Sequence, residues 1–84
     1  MRFGFTGPNL CTVSACSSSN DAIGEAMRYI RDGYLDLCVA GGSEAATIPL
    51  TIAAFAQMTA LTKNPDPETA SRPFDQARDG FVLS

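Results

Sequence analysis

The side chain best placed for chemistry is Cys16, in the stretch Thr12-Val13-Ser14-Ala15-Cys16-Ser17-Ser18-Ser19-Asn20. An apolar, β-leaning run from Leu10 to Val13 gives way to small residues, and helix-capping residues follow the cysteine at once. That order puts a thiol at the mouth of a helix N-terminus, where unpaired backbone N–H groups and the positive end of the helix dipole favour an anion. The thiolate is the nucleophilic form of cysteine. Cys16 is therefore a candidate nucleophile. The plain alternative is that a cysteine at a strand-to-helix turn only packs.

Other groups carry weaker signals. Gly41-Gly42-Ser43-Glu44 could cradle a phosphate, yet it lacks the G-x-G-x-x-G and Walker spacings, and a tight bend after a buried strand explains the same residues. Glu44 reads either as a general acid or as an acceptor for loop amides. Arg72, Asp75, Arg78 and Asp79 alternate in sign, the pattern of loop charges that pair locally at a surface. Phe55 on the second helix reads as a core residue before it reads as a substrate contact. Cys11 and Cys38 lie in apolar runs and read as small buried hydrophobes. Three cysteines without a histidine fit no zinc pattern, and an odd count without a signal peptide argues against a disulfide scaffold. No metal or cofactor is expected. With no histidine, any acid–base step must use another side chain, or residues outside this chain.

The elements that must position Cys16 follow from the pattern. Residues 1–9 are loop-like, broken by Gly4, Gly7 and Pro8-Asn9. Leu10–Ala15 predicts a short strand. Ser17 to Asn20 supply N-cap residues for a helix from about Ser18 to Asp32. Ala22, Ile23, Ala26, Met27 and Ile30 form its apolar stripe, and Gly33 stops it from the C′ position. Gly24 inside that helix points to close packing of another backbone. Tyr34–Ala40 is a second strand, nearly continuous in hydrophobicity, as in a parallel sheet covered on both faces. Strand, helix and strand make a βαβ unit. Pro49 opens a second helix, roughly Ile48 to Leu61. Lys63 to Glu68 reads as an exposed loop, Asp79-Gly80 as a turn, and Phe81-Val82-Leu83 as the start of another strand. The expected fold class is α/β, and the chain is expected to be a fragment.

Composition excludes several classes. Of the 84 residues, 45% are hydrophobic, the content of a folded protein rather than a disordered one. A net charge of -3 offers no basic patch, so nucleic acid is not an expected partner. No apolar run approaches the roughly 20 residues that span a membrane, and Met1 to Pro8 lack the apolar centre of a secretory signal. The expected location is the cytoplasm. A chain this short is marginal as an independent globule.

The ordered motifs go further. Gly7-Pro8-Asn9, Thr12-Val13-Ser14-Ala15-Cys16-Ser17-Ser18-Ser19, Ala40-Gly41-Gly42-Ser43-Glu44-Ala45, Asn64-Pro65-Asp66-Pro67, Ala70-Ser71-Arg72-Pro73-Phe74-Asp75 and Arg78-Asp79-Gly80-Phe81-Val82-Leu83 stand in register. In that order the chain resembles the β-ketoacyl-[acyl-carrier-protein] synthases, especially the KAS II type of bacterial fatty-acid elongation. The likeness covers essentially the whole chain. Residues 1–84 would be part of the N-terminal ketosynthase domain.

The resemblance implies a thiolase-like fold: strand, nucleophile helix, strand and helix in a parallel or mixed sheet. It implies that Cys16 takes an acyl group from acyl-carrier protein as a thioester, and that decarboxylation of malonyl-carrier protein yields the carbanion that attacks it. Phe55 matches a phenylalanine near the acyl pocket. Two histidines and a lysine would complete the site from later sequence, and the intact enzyme would be a homodimer. Thr59 stands where many members carry an arginine that docks carrier protein. Ser17-Ser18-Ser19 is nearer to polyketide ketosynthases, so a polyketide-type enzyme is an alternative reading. A truncated, non-catalytic scaffold is another.

Overall fold

A computed structural model describes residues 3–83. They fall into two compact units, one up to Ser43 and the other from Glu44 onward. In the first unit a single 3-10 turn, Ala15–Ser17, leads into helix α1, Ser18–Arg31. The second unit holds α2, Pro49–Gln57, and one helical turn, α3, Pro67–Ala70.

Helix α1 starts where the sequence predicts and ends one residue earlier. Its C-terminus shows why. Gly33, at φ 77°, donates to the carbonyl of Ile30 at 3.1 Å, and the Tyr34 N–H reaches Tyr29 O at 2.9 Å. This is a Schellman motif, whose left-handed residue carries no Cβ penalty when it is glycine. The accompanying apolar contact is also present: the rings of Tyr29 and Tyr34 meet edge to face, with centroids 6.2 Å apart. Arg28 and Arg31 occupy the last turn, as the helix dipole favours.

Helix α2 is shorter than its apolar pattern suggests. Pro49 opens it as expected, but the chain turns out at Thr59, which adopts φ 56°. Thr59 N–H bonds to Ala56 O and Ala60 N–H to Phe55 O, each at 3.0 Å. A second Schellman motif is thus closed by a β-branched residue in the left-handed region, an unfavourable choice of residue. The early exit carries Leu61 into a parallel bridge with Phe81, secured by Thr62 N–H to Phe81 O and Phe81 N–H to Ala60 O, both 3.0 Å.

The expected strands are not formed. Among the described residues the Leu61–Phe81 bridge is the sole strand-like pairing, so the parallel or mixed sheet of the α/β expectation is absent here. Leu10–Ala15 and Tyr34–Ala40 run without a ladder. Leu10 and Thr12 on one side and Cys38 to Gly41 on the other line a cavity of about 170 Å³, which Ala22, Ala26 and Tyr29 of α1 also line. The physical reason is that a strand is satisfied only by neighbours, and Val13 and Val39 remain 82% and 80% exposed. For the same reason Cys11 is exposed and Cys38 half-buried, not buried as their apolar settings suggest. Ala26 and Ala70 are the buried apolar residues among those described, and Ile23, Met27 and Ile30 of the α1 stripe are exposed. Gly24 has open space where a Cβ would stand, so among the described residues no backbone from outside α1 packs against it.

Candidate active site

Cys16 sits in the middle of the 3-10 turn, immediately before Ser17, the N-cap of α1, and it is exposed. Ser17 makes no side-chain capping bond. The turn is held by other serines. Ser18 Oγ accepts the Ser14 N–H at 2.9 Å and donates to the Ala15 carbonyl at 2.8 Å. Ser17 N–H bonds to Ser14 O at 3.1 Å, and Ser14 Oγ donates to the Asp21 carboxylate one turn into α1. Ala15 itself lies at φ 52°, a conformation that a residue with a Cβ holds only when its surroundings impose it.

The second of the two glycines after Tyr34–Ala40 serves this same region. A Cβ on Gly42 would collide with Ser19 Oγ, so Gly42 lets the backbone approach the first turn of α1. Close packing, rather than a phosphate cradle, accounts for it. Glu44 accepts the Ala45 N–H at 3.1 Å through its carboxylate, and so acts as an acceptor for a loop amide.

In the second unit, Phe55 lies on α2, half-buried, with its ring edge-to-face against Phe81 at 5.1 Å between centroids. Cys16 and Phe55 thus belong to different units. Of the four loop charges, Arg72 and Asp79 form an ion pair, and Asp79 is the centre of a wider network. Its Oδ1 accepts from Thr62 Oγ1 at 2.5 Å and from Arg72 Nη2 at 3.3 Å, and its Oδ2 accepts the Lys63 N–H at 2.9 Å. The Thr62 hydroxyl, then the Lys63 amide, with the Arg72 charge adding to them, hold the Asp79 carboxyl below its ordinary value. Arg78 instead donates to the Asp75 carbonyl at 2.8 Å. Gly80 follows at φ 152°, and a Cβ there would stand 2.5 Å from Thr62 N and 2.7 Å from Ala60 O. Only glycine fits against that backbone.

The sequence did not single out Ser14, Ser18 or Asp21. The i, i+4 spacing of Ser14 and Ser18 carries the signal, and a run of serines that all suit an N-cap conceals it.

The sequence pattern of the β-ketoacyl synthase N-terminal domain matches residues 1–84, the whole chain. The chain belongs to the β-ketoacyl synthase family. It is 50% identical over 84 residues to 3-oxoacyl-[acyl-carrier-protein] synthase 2 of Synechocystis sp., covering 99% of this chain and 20% of that protein. It is 48% identical over 81 residues to the chloroplastic 3-oxoacyl-[acyl-carrier-protein] synthase I of Arabidopsis thaliana, covering 95% and 17%. With the synthase 2 of Coxiella burnetii it shares 46% over 84 residues, covering 99% and 20%. The chain therefore spans about a fifth of the length of these relatives, and the resemblance to the KAS II type holds along all of it. Among the described residues no helix is long and apolar enough to cross a membrane.

Proposed function

We propose that the protein to which this β-ketoacyl synthase segment belongs elongates acyl chains by decarboxylative condensation, with Cys16 as the acyl carrier. Cys16 Sγ attacks the thioester carbonyl of acyl-carrier protein and expels the carrier's thiol, forming an acyl-Cys16 thioester. Malonyl-carrier protein then loses carbon dioxide. The electron pair of the broken C–C bond becomes a carbanion that attacks the acyl-Cys16 carbonyl. Expulsion of Cys16 thiolate leaves a 3-oxoacyl chain two carbons longer on the carrier. A thioester suits both halves of this sequence, since it forms readily and stays activated. The backbone N–H of Cys16 is the oxyanion donor that this segment would contribute. Histidines and a lysine from sequence beyond this chain would assist decarboxylation, and Phe55 would contact the acyl chain. The same reading includes a thiolase-like fold, a homodimer and a cytoplasmic enzyme.

The observation that carries this proposal is the exposed Cys16 in the turn before α1, inside a segment matched end to end by the synthase domain. Relatives named as synthase 2 favour fatty-acid elongation over the polyketide alternative, which rests on Ser17-Ser18-Ser19. Product chain length separates the two. The test of the mechanism uses the full-length protein with cerulenin, which alkylates the family's nucleophile, and peptide mass spectrometry. A single adduct on Cys16, with Cys11 and Cys38 unmodified, is the expected result. Cys16→Ala should lower condensation on the order of a thousandfold or more, as loss of a covalent nucleophile does. Equal labelling of the three thiols, or an active Cys16→Ala enzyme, overturns the proposal and leaves the non-catalytic scaffold.

A further inference from the structure

We infer that Ser18 is a positioning residue for Cys16, an inference that rests on Cys16 being the acyl carrier. The turn that presents the thiol contains an alanine at φ 52°. Released from its neighbours, a residue with a Cβ returns to the right-handed or extended regions, and that rotation would redirect the peptide that follows, which carries the Cys16 N–H and side chain. The Ser18 hydroxyl spans Ala15 and opposes the rotation. It accepts from the Ser14 N–H at 2.9 Å and donates to the Ala15 carbonyl at 2.8 Å, so the Val13–Ser14 peptide and the Ala15–Cys16 peptide are tied to one oxygen, while the Ser17 N–H holds the Ser14 carbonyl between them at 3.1 Å. That oxygen belongs to the first residue of α1, so the helix is the fixed frame. The Ser14 hydroxyl adds a second tie, to the Asp21 carboxylate, which makes Asp21 an anchor of the turn rather than a proton acceptor for Cys16. None of these bonds uses the Cys16 side chain, so the sulfur stays available while the backbone around it is held.

Acyl transfer to a nucleophile depends on reaching a near-attack geometry, and a displacement of about 1 Å costs about a hundredfold. The test is stopped-flow acylation of the full-length enzyme by an acyl-carrier-protein thioester, with acyl-Cys16 quantified by mass spectrometry. Ser18→Ala should lower the maximal acylation rate about ten- to a hundredfold with KM for the acyl donor unchanged, while Ser18→Thr, which keeps the hydroxyl, should retain most of the rate. Ala15→Gly in the Ser18→Ala background should recover part of the loss, because glycine adopts the left-handed conformation without strain. Ser14→Ala, which frees Asp21 but leaves the Ser18 ties, should give a smaller loss of the same kind and serves if Ser18→Ala fails to fold. A Ser18→Ala or Ser14→Ala enzyme that melts earlier yet acylates at the wild-type rate overturns the positioning role alone. Absence of any acyl-Cys16 in the wild type overturns the acyl-carrier reading, and the positioning role with it.

Discussion

At the scale of single residues, the Asp79 carboxylate joins three partners: it receives the Thr62 hydroxyl, the Lys63 amide and the Arg72 guanidinium. These donors stabilise the ionised form and hold the carboxyl below its ordinary value of 3.8. The sign follows from linkage: a group depressed in the folded state contributes stability above its unfolded value and loses it as pH falls through the folded one. Acid titration of the full-length protein should therefore show a loss of stability below about pH 3.8 that is smaller in Asp79→Asn. A variant whose acid unfolding matches the wild type would deny Asp79 this role. The pairing of Arg72 with Asp79 was legible as sign alternation in one loop. The Thr62 and Lys63 partners were not, because they lie 17 and 16 residues away. The place of Cys16 just ahead of α1 was legible from the small and capping residues around it, whereas the role of Ser18 in the turn was hidden among three serines whose types are alike and whose geometry is not.

At the scale of elements, the ends of the helices were set by local chemistry, and the sequence revealed it only where residue and conformation agree. Gly33 announces the end of α1 because glycine is what a left-handed C′ position favours. Thr59 conceals the end of α2 because threonine is disfavoured there, and the apolar pattern runs on to Leu61. Loop residues 63–68 gave up one helical turn: Asp66 caps α3 by accepting the Glu68 N–H at 3.1 Å, with Pro67 at its first position. Gly24 offers a clean prediction. It lies inside α1, and among the described residues nothing beyond its own helix backbone comes within 4 Å of the place a methyl group would occupy, so Gly24→Ala should raise stability by about 1 kcal/mol through helix propensity. Thermal unfolding of the full-length protein measures it. A loss of stability would mean that another part of the longer protein packs against that face.

At the scale of the whole molecule, the α/β expectation met its limit at the sheet. Strand propensity in Leu10–Ala15 and Tyr34–Ala40 is a statement about fitting a pleated, flanked surface, and no flanking strand lies beside either run among the described residues. With Ala26 and Ala70 the buried apolar residues among those described, the hydrophobic term that offsets chain entropy is small. The isolated 84-residue chain should therefore show no cooperative thermal transition by circular dichroism, and a sharp, reversible melt would refute this. The Asp79-Gly80 junction has a longer-term consequence. Aspartate followed by glycine, which has no side chain to obstruct attack, is the aspartyl pair most given to closing into a succinimide and reopening as isoaspartate. Here both carboxylate oxygens are engaged by donors that keep the carboxyl ionised, the form least open to attack by the Gly80 nitrogen. The network that fastens this loop thus also slows its chemical ageing.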